Sequence, residues 1–418
     1  MQMSEKQKVF IKTFGCRTNL FDSQVMLSNL KDFEITQNED EADIVIVNSC
    51  TVTNGADSGT RGYVNSANKK NQKVYLTGCG AHTKGEGLFE ADKVFGVFGQ
   101  SEKTKINEML KKETKFYEIG DLDFIDDAVV EEFVGKSRAF IKIQEGCNFR
   151  CSYCIIPFVR GDARSLDEEN ILEQITRLAA NGFGEFILTG TNVGSYGQGE
   201  GRSMAALLKR MSQIKGVRRI RIGSMEPIQV SDEFKELLSE PWLEKHLHIA
   251  IQHSSKEMLR LMNRRNRIDN DIKLFNELHE KGFALGTDFI VGHPGETDAL
   301  WKEAMQNLKE MPLTHVHAFT YSKRDGTPSA MMKGDINGLV SKQRMLELNA
   351  FVDANNLRFR QTHKVPLEVL VESEKEGIYT GLDQFFNRIH IECEHDLVGN
   401  WITIEDYEIQ EEMNYVKL

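Results

Sequence analysis

The chain of 418 residues is long enough for two or three domains, and with 40% hydrophobic and 28% charged residues it has the composition of an ordinary globular protein. Its polar N-terminus does not fit a signal peptide, and no apolar run approaches the length of a membrane span. We therefore expect a cytoplasmic protein without a membrane partner. The net charge of −11 argues mildly against nucleic acid as a partner, although local basic patches decide that question.

Residues 8–100 alternate short apolar strands with helical stretches, the latter near residues 22–30 and 57–71. This alternation predicts a small parallel sheet flanked by helices. The predicted strands are residues 8–14, 43–48, 73–77 and 94–98. An acidic stretch with weak periodicity, residues 113–133, then reads as a linker.

From about residue 138 the alternation resumes on a larger scale, with a helix predicted at residues 167–181. Six strand–helix units are too few for a complete eight-unit barrel, so a partial (β/α)6 barrel is predicted. Its strands are expected at residues 138–143, 185–189, 218–222, 247–251, 287–291 and 315–320.

Residues 365–418 change character and predict a small all-β module of the five-stranded barrel type. Its strands are expected at residues 366–372, 377–382, 387–391 and 401–407. The chain is thus of the α/β class, and we divide it into residues 1–120, 133–362 and 363–418.

Cys147, Cys151 and Cys154 form a Cys-x3-Cys-x2-Cys pattern just after the first barrel strand, where barrel enzymes place their active sites. Three thiolates this close can hold three irons of a [4Fe–4S] cluster and leave the fourth iron open. The alternative is a structural zinc knuckle, but no nearby His or Cys has the spacing of a fourth ligand.

Cys16, Cys50 and Cys79 each lie two residues beyond a predicted strand. Because the carboxyl ends of parallel strands share one edge of the sheet, three thiolates should converge there and hold a second cluster. The alternative is three buried, inert cysteines. Cys393 lies far from both groups and is interpreted as a structural or exposed thiol.

These patterns resemble the radical S-adenosylmethionine methylthiotransferase family. The resemblance rests on the cysteine motif followed by residues 155–161 (IIPFVRG), and on residues 13–19 (TFGCRTN) and 48–54 (NSCTVTN). The C-terminal module resembles the TRAM RNA-binding domain. Residues 48–57 and 159–165 are most similar to the branch that modifies threonylcarbamoyladenosine. Sister branches modify isopentenyladenosine in tRNA or an aspartate of a ribosomal protein.

The resemblance implies two [4Fe–4S] clusters and S-adenosylmethionine as cofactors, with the cofactor chelated at the open iron of the Cys147, Cys151 and Cys154 cluster. It implies a 5′-deoxyadenosyl radical that abstracts hydrogen from C2 of the target adenine, sulfur inserted from the second cluster, and methyl from another S-adenosylmethionine. The implied partners are a tRNA anticodon stem-loop, a flavodoxin- or ferredoxin-like reductant and a sulfur donor.

Polar residues at the other barrel strand ends should hold S-adenosylmethionine. The resemblance places Thr191 and Asn192 at the methionine amino group. Helix caps or satisfied barrel positions are the alternative interpretation. The full set of expected cofactor contacts is Tyr153, Thr191, Asn192, Ser224, Glu226, Gln252 and Asp288.

A basic run, residues 256–267, holds five positive charges against one negative and predicts a phosphate track, with a solvated helix face as the alternative. The C-terminal module is acidic instead, with four Lys and Arg against thirteen Asp and Glu from Lys364 to Leu418. It could still read RNA shape through Phe385, Phe386, Asn387 and Arg388.

Three hypotheses follow. A tRNA-modifying enzyme leads, and the same chemistry on a ribosomal protein would suit the acidic module, which could meet a basic partner. An iron–sulfur electron carrier is the third, although a carrier does not need a barrel with six strand-end loops.

Arg17 follows Cys16 directly, and Arg160 follows the loop of Cys147, Cys151 and Cys154, so both are predicted to face the space between the clusters. A threonylcarbamoyl group ends in a carboxylate, which a planar Arg fork matches. We therefore expect Arg17, Arg160 or both to bind it. The alternative is pairing with nearby acids such as Asp22 or Asp162.

Overall fold

The computed structural model describes residues 6–130, 133 and 137–418. Residues 1–5 of the polar N-terminus, and Glu131 and Glu132 of the predicted linker, lie outside the described residues. Within the described chain, no helix is both long and apolar enough to cross a membrane.

The first part of the chain is a six-stranded, fully parallel sheet in the order β2-β1-β3-β4-β5-β6. Its apolar strands β3 and β4 are buried on both faces, as expected for a parallel sheet covered by helices. The strands are β1 Lys8–Thr13, β2 Glu34–Ile35, β3 Ile44–Ser49, β4 Lys73–Gly78, β5 Gly96–Phe98 and β6 Phe116–Glu118, and the helices are α1 Arg17–Asn29, α2 Asn54–Lys69, α3 Ala81–Glu90 and α4 Ile106–Lys111.

The central part is a partial barrel of six parallel strands, which confirms the predicted architecture. The strands are β7 Ala139–Glu145, β9 Glu185–Gly190, β10 Arg219–Ile222, β11 His246–His248, β12 Ala284–Val291 and β13 His315–Thr320, with the short β8 Arg164–Ser165 antiparallel to β7. The bridges Ile220↔Leu243 and Met225↔Ile249 join β10 to the β11 segment. The strand predicted at residues 247–251 is therefore shorter than expected, since beyond His248 the chain continues as isolated bridges.

Helices cover the barrel between successive strands. Their apolar stripes, such as Ile171, Leu172 and Ile175 of α6, are buried in its core. The helices are α5 Ile156–Arg160, α6 Glu168–Ala180, α7 Met204–Ser212, α8 Asp232–Lys235, α9 Lys256–Leu261, α10 Ile268–Glu280, α11 Asp298–Leu308 and α12 Gly338–Thr362.

Helix α1 of the first domain packs against the barrel rather than only against its own sheet. Phe21 and Val25 of α1 belong to the barrel's hydrophobic core, beside β7 and β9. The helix was predicted to begin near Asp22 but begins at Arg17, so its first turn lies at the junction of the two domains.

The C-terminal module is a curled, mainly antiparallel sheet in the order β17-β14-β15-β16-β19-β18. It has six strands: β14 Leu367–Lys375, β15 Ile378–Leu382, β16 Arg388–Glu392, β17 Trp401–Ile404, β18 Glu408–Ile409 and β19 Asn414–Lys417. The single strand predicted at residues 401–407 ends at Ile404, and neither β18 nor β19 is among the predicted strands. The turn between β15 and β16 reaches the barrel, where the Phe386 ring stacks on His246 with centroids 5.0 Å apart.

Candidate active site

A cavity of about 1420 Å³ lies where the three parts of the chain meet. Barrel strand ends, the loops after β1, β3 and β4, and the β15–β16 turn form its wall. All six cysteines singled out in the sequence line it as free thiols. Cys393 lies outside it, just beyond β16.

The loop of Cys147, Cys151 and Cys154 joins β7 to α5 at the carboxyl end of the first barrel strand. Ser152 anchors this loop, because its backbone N–H and its hydroxyl donate, each at 2.9 Å, to two carbonyls at the end of α9. The Cys147 sulfur accepts from the Phe149 N–H at 3.4 Å. The loop thus holds its thiols toward the cavity.

Cys16, Cys50 and Cys79 meet at the carboxyl edge of the first sheet. Cys16 is the residue just before the first turn of α1, and the other two follow β3 and β4 directly. The chain turns there through Gly15 at φ +95°, and a Cβ at Gly15 would lie 2.8 Å from the Cys50 sulfur. Only glycine therefore lets the two cysteine loops approach this closely.

The chemistry of both thiol groups fits a metal cluster. The pKa of Cys50 is raised to about 12, chiefly by burial, with the charges of Cys79 and Cys16 contributing in the same direction. Burial likewise raises the pKa of Cys154 to about 12, with Cys151 and Cys147 adding to the effect. Three crowded thiols become thiolates together only when a cation offsets their charge, as a bound cluster does. Each group of three cysteines offers three thiolate ligands to such a cluster.

Asn192 indicates a ligand-binding position beside Cys147. Its side-chain N–H lies 3.7 Å from the Cys147 sulfur, while its buried Oδ1 accepts no hydrogen bond in the described chain. A buried acceptor without a donor is costly, so an amino group of a bound cofactor fits there.

All seven expected cofactor contacts line the cavity, but they differ in what they already bind. Thr191 accepts from the Gly146 N–H at 3.2 Å, and Gln252 has a left-handed backbone at φ +67°. Tyr153 lies edge-on to His293, with centroids 6.5 Å apart, and Ser224 is exposed to the cavity. Glu226 and Asp288 both have protein partners.

Glu226 pairs with Arg264, which corrects the interpretation of the basic run as one phosphate track. The side chain of Arg264 is only 2% exposed and donates to Glu226 Oε1 at 2.8 Å, with a second bond to Oε2. It also donates to the Ala250 carbonyl and lies 3.6 Å from the Cys151 sulfur. Its charge is used inside the site. Arg265 and Arg267 remain exposed.

Arg160 is buried and pairs with acids of the protein, which was the alternative to binding a substrate carboxylate. It donates to Asp22 at 2.8 Å, to Glu145, and through Nε to the Cys79 sulfur at 3.1 Å. These partners leave its guanidinium committed to the protein, so it is not the free carboxylate fork that the sequence allowed for. Asp162 pairs instead with Arg150.

Arg17 differs, because within the described chain it makes no ion pair. Its guanidinium lies 5.9 Å from the Phe386 ring centroid on the cavity wall. The pKa of Arg17 is lowered from its usual value, chiefly by burial. Glu244 opposes this shift, and the charges of Arg138 and Arg221 add to it. A cation held this way is available to a ligand anion.

Four histidines that we did not single out also line the cavity: His246, His248, His315 and His317. They occupy alternate positions of β11 and β13, so they face one side of the barrel. The repeated His-x-His spacing on two predicted strands was a signal that could have revealed them. Among the expected RNA contacts, Phe385 is instead buried in the core of the C-terminal module.

Family comparisons match two stretches of the chain: residues 8–99 match the Uncharacterized protein family UPF0004, and residues 141–308 match the Radical SAM superfamily. A Helicobacter pylori (strain J99) protein named provisionally as a methylthiotransferase is 52% identical, over 98% of this chain and 99% of its own length.

Two further relatives carry specific names. The threonylcarbamoyladenosine tRNA methylthiotransferase MtaB of Bacillus subtilis is 31% identical over 95% of this chain and 93% of its own. The tRNA-2-methylthio-N(6)-dimethylallyladenosine synthase of Psychrobacter cryohalolentis is 31% identical over 89% and 81%. Among solved structures, the radical S-adenosylmethionine methyltransferase TsrM of Kitasatospora setae shares the fold, with a TM-score of 0.57 and 15% identity over 78% of this chain and 77% of that chain.

Proposed function

Because the chain belongs to the radical S-adenosylmethionine methylthiotransferase family, we propose that it adds a methylthio group to C2 of threonylcarbamoyladenosine beside the anticodon of tRNA. The members of this family are enzymes that transfer a sulfur-containing group, so the electron-carrier hypothesis is wrong. The substrate is the part that we propose.

Two clusters would be held by this chain's own thiols. Cys147, Cys151 and Cys154 would hold the one that binds S-adenosylmethionine, with Asn192 Oδ1 accepting from the cofactor's amino group. Cys16, Cys50 and Cys79 would hold the second. When bound, these groups supply radical generation and sulfur, while the protein orients the substrate between them and excludes water.

Iron content tests this assignment. Anaerobically reconstituted protein should bind about eight irons per chain, because each cysteine group implies one four-iron cubane. Replacing Cys16, Cys50 and Cys79 together by Ala should halve the iron and leave reductive cleavage of S-adenosylmethionine intact. Cys393→Ala is the matched control and should keep all the iron. A triple variant that also keeps it would remove the second cluster from our proposal.

Arg17 is the observation that favours the threonylcarbamoyl substrate. It follows Cys16, lines the cavity that holds both cysteine groups, and makes no ion pair among the described residues, although Glu244 and Asp288 act on its charge at longer range. The isopentenyl group of the sister substrate is apolar and offers this cation nothing. The threonylcarbamoyl group ends in a carboxylate, which a guanidinium binds through two parallel hydrogen bonds.

The test compares Arg17→Lys and Arg17→Met on two tRNAs. Hydrogen bonds to charged groups contribute about 1.5–3 kcal/mol, so kcat/KM for threonylcarbamoyl-tRNA should fall roughly ten- to hundredfold. Methylthio nucleosides are measured by mass spectrometry. Iron content and cofactor cleavage without tRNA should stay unchanged, which separates a lost substrate contact from a damaged site.

Isopentenyladenosine-tRNA is the matched control substrate, tested first with the wild-type protein. We expect little modification of it, and no further loss in the Arg17 variants. If wild type modifies both tRNAs equally, or if the variants lose activity on both to the same extent, the carboxylate is not what Arg17 binds and the substrate assignment fails.

A further inference from the structure

The histidines of the barrel interior form a group that the reaction described above does not use. His246 and His248 lie on β11, and His315 and His317 lie on β13, with β12 between these strands. The His246 and His315 rings are 4.8 Å apart, and the His248 and His317 rings are 4.9 Å apart. The group therefore consists of two levels along the strands: His246 with His315 form the first, and His248 with His317 form the second.

Among the described residues, an acid lies within ion-pair distance only at the second level, that of His248 and His317. Asp288 of β12 places Oδ1 3.3 Å from His248 Nε2 and 3.5 Å from His317 Nδ1. These three donor atoms all lie within 4.8 Å of one another. They project from three adjacent, hydrogen-bonded strands, which hold a set of ligands more precisely than loops do.

The bonding within this level is incomplete. His248 is only 9% exposed, yet its Nε2 has no hydrogen-bond partner in the described chain. The carboxylate of Asp288 has no Lys or Arg within ion-pair distance there, so the two imidazoles are its only close partners. The part-buried Asp288 carboxylate and the His248 ring nitrogen face each other at 3.3 Å without a hydrogen bond in the described chain, so both gain from a cation placed between them.

We propose that His248, Asp288 and His317 bind one divalent transition-metal ion. Two imidazole nitrogens and one carboxylate oxygen suit zinc, manganese or ferrous iron, whereas magnesium and calcium prefer ligand sets made of oxygen. Three protein ligands leave positions open, as in catalytic metal sites. The cavity lies on that side, so an oxygen of a bound substrate can complete the coordination.

Manganese binding to the reconstituted, cluster-loaded protein tests the site. Mn²⁺ is chosen because it has little affinity for thiolates and so leaves the cysteine groups alone. Loss of the free-ion electron paramagnetic resonance signal gives the bound fraction. We expect one Mn²⁺ per chain, displaced by one equivalent of Zn²⁺, which binds such ligands more tightly.

Variants on the same strands assign the ligands. Asp288→Asn and His317→Gln should each abolish stoichiometric Mn²⁺ binding, whereas His246→Gln and His315→Gln, two residues earlier on β11 and β13, should retain it. Iron content and cluster absorption report whether each variant is folded. His317 is 56% exposed, so His317→Gln keeps the test open if Asp288→Asn misfolds. Absence of stoichiometric binding in the wild type, or binding that survives His317→Gln, would overturn the proposal.

Discussion

Arg160→Ala is expected to lower the free energy of unfolding by about 3–5 kcal/mol, the usual result of removing one partner from a buried ion pair. Arg160 belongs to a closed group of three acids and three bases, all at most 3% exposed. Its members are Asp22, Asp126, Glu145, Lys103, Lys142 and Arg160.

The charges of this group balance, and they connect the first domain to the barrel. Asp22 lies on α1, Glu145 on β7, and Arg160 ends α5. Lys103 and Lys142 hold the pKa of Asp126 at about 2, although its burial alone would raise it. Without Arg160 one negative charge stays buried and unmatched, and the Cys79 sulfur loses its donor. The loss should therefore appear in stability as well as in the iron bound by the second cysteine group.

Denaturant unfolding of the chain under anaerobic conditions measures the effect. Arg150→Ala is the matched control, because its pair with Asp162 is 52% and 64% exposed. Such a surface pair contributes only about 0–1 kcal/mol. Arg160→Lys should keep most of the stability, since the charge remains, but not the contact with sulfur. Equal unfolding midpoints for Arg160→Ala and Arg150→Ala would contradict the argument.

The convergence of the cysteines could be predicted because it depends on backbone topology alone. Cys50 and Cys79 follow apolar strands, and the ends of neighbouring parallel strands share an edge whatever their side chains do. The six barrel strands were predictable for a similar reason, since each is an apolar run between helical stretches. Strand ends were less so, as at β11, where a regular strand gives way to single bridges.

Side-chain partners could not be predicted in this way. Arg160 and Arg264 look like free cations in the sequence, but their acids lie far along the chain, at Asp22 and Glu226. Nothing in local charge shows that tertiary packing brings them together. Arg17 has the same local appearance and no such partner in the described chain. Long-range contacts therefore decide whether an arginine is already paired within the protein or is left available to a ligand.

Arg264→Ala is expected to reduce cleavage of S-adenosylmethionine at least tenfold, even without tRNA. The substitution leaves the Glu226 carboxylate without its partner and removes the donors to Ala250 and Cys151. Truncating one side of a buried, hydrogen-bonded charge pair typically costs about 2–5 kcal/mol. Part of that loss should fall on the cysteine loop, because Arg264 lies 3.6 Å from the Cys151 sulfur.

The double variant Arg265→Ala/Arg267→Ala should change tRNA binding and leave cofactor cleavage intact. Both side chains are exposed, and Arg265 lies over the Phe149 ring at 4.3 Å, at the rim of the cysteine loop. If each contacts one phosphate, the slope of log affinity against log salt should fall by roughly 0.7–0.9 per contact, the range between single strands and B-form duplexes. Cofactor cleavage without tRNA should stay at the wild-type rate.

The two variants together test whether one basic run serves two purposes. Cleavage is followed by 5′-deoxyadenosine formation, and tRNA affinity by titration at several salt concentrations. A double variant with an unchanged salt slope would make Arg265 and Arg267 a solvated surface. An Arg264→Ala protein with normal cleavage and weakened tRNA binding would instead restore the phosphate track, because its charge would then act on RNA rather than on Glu226.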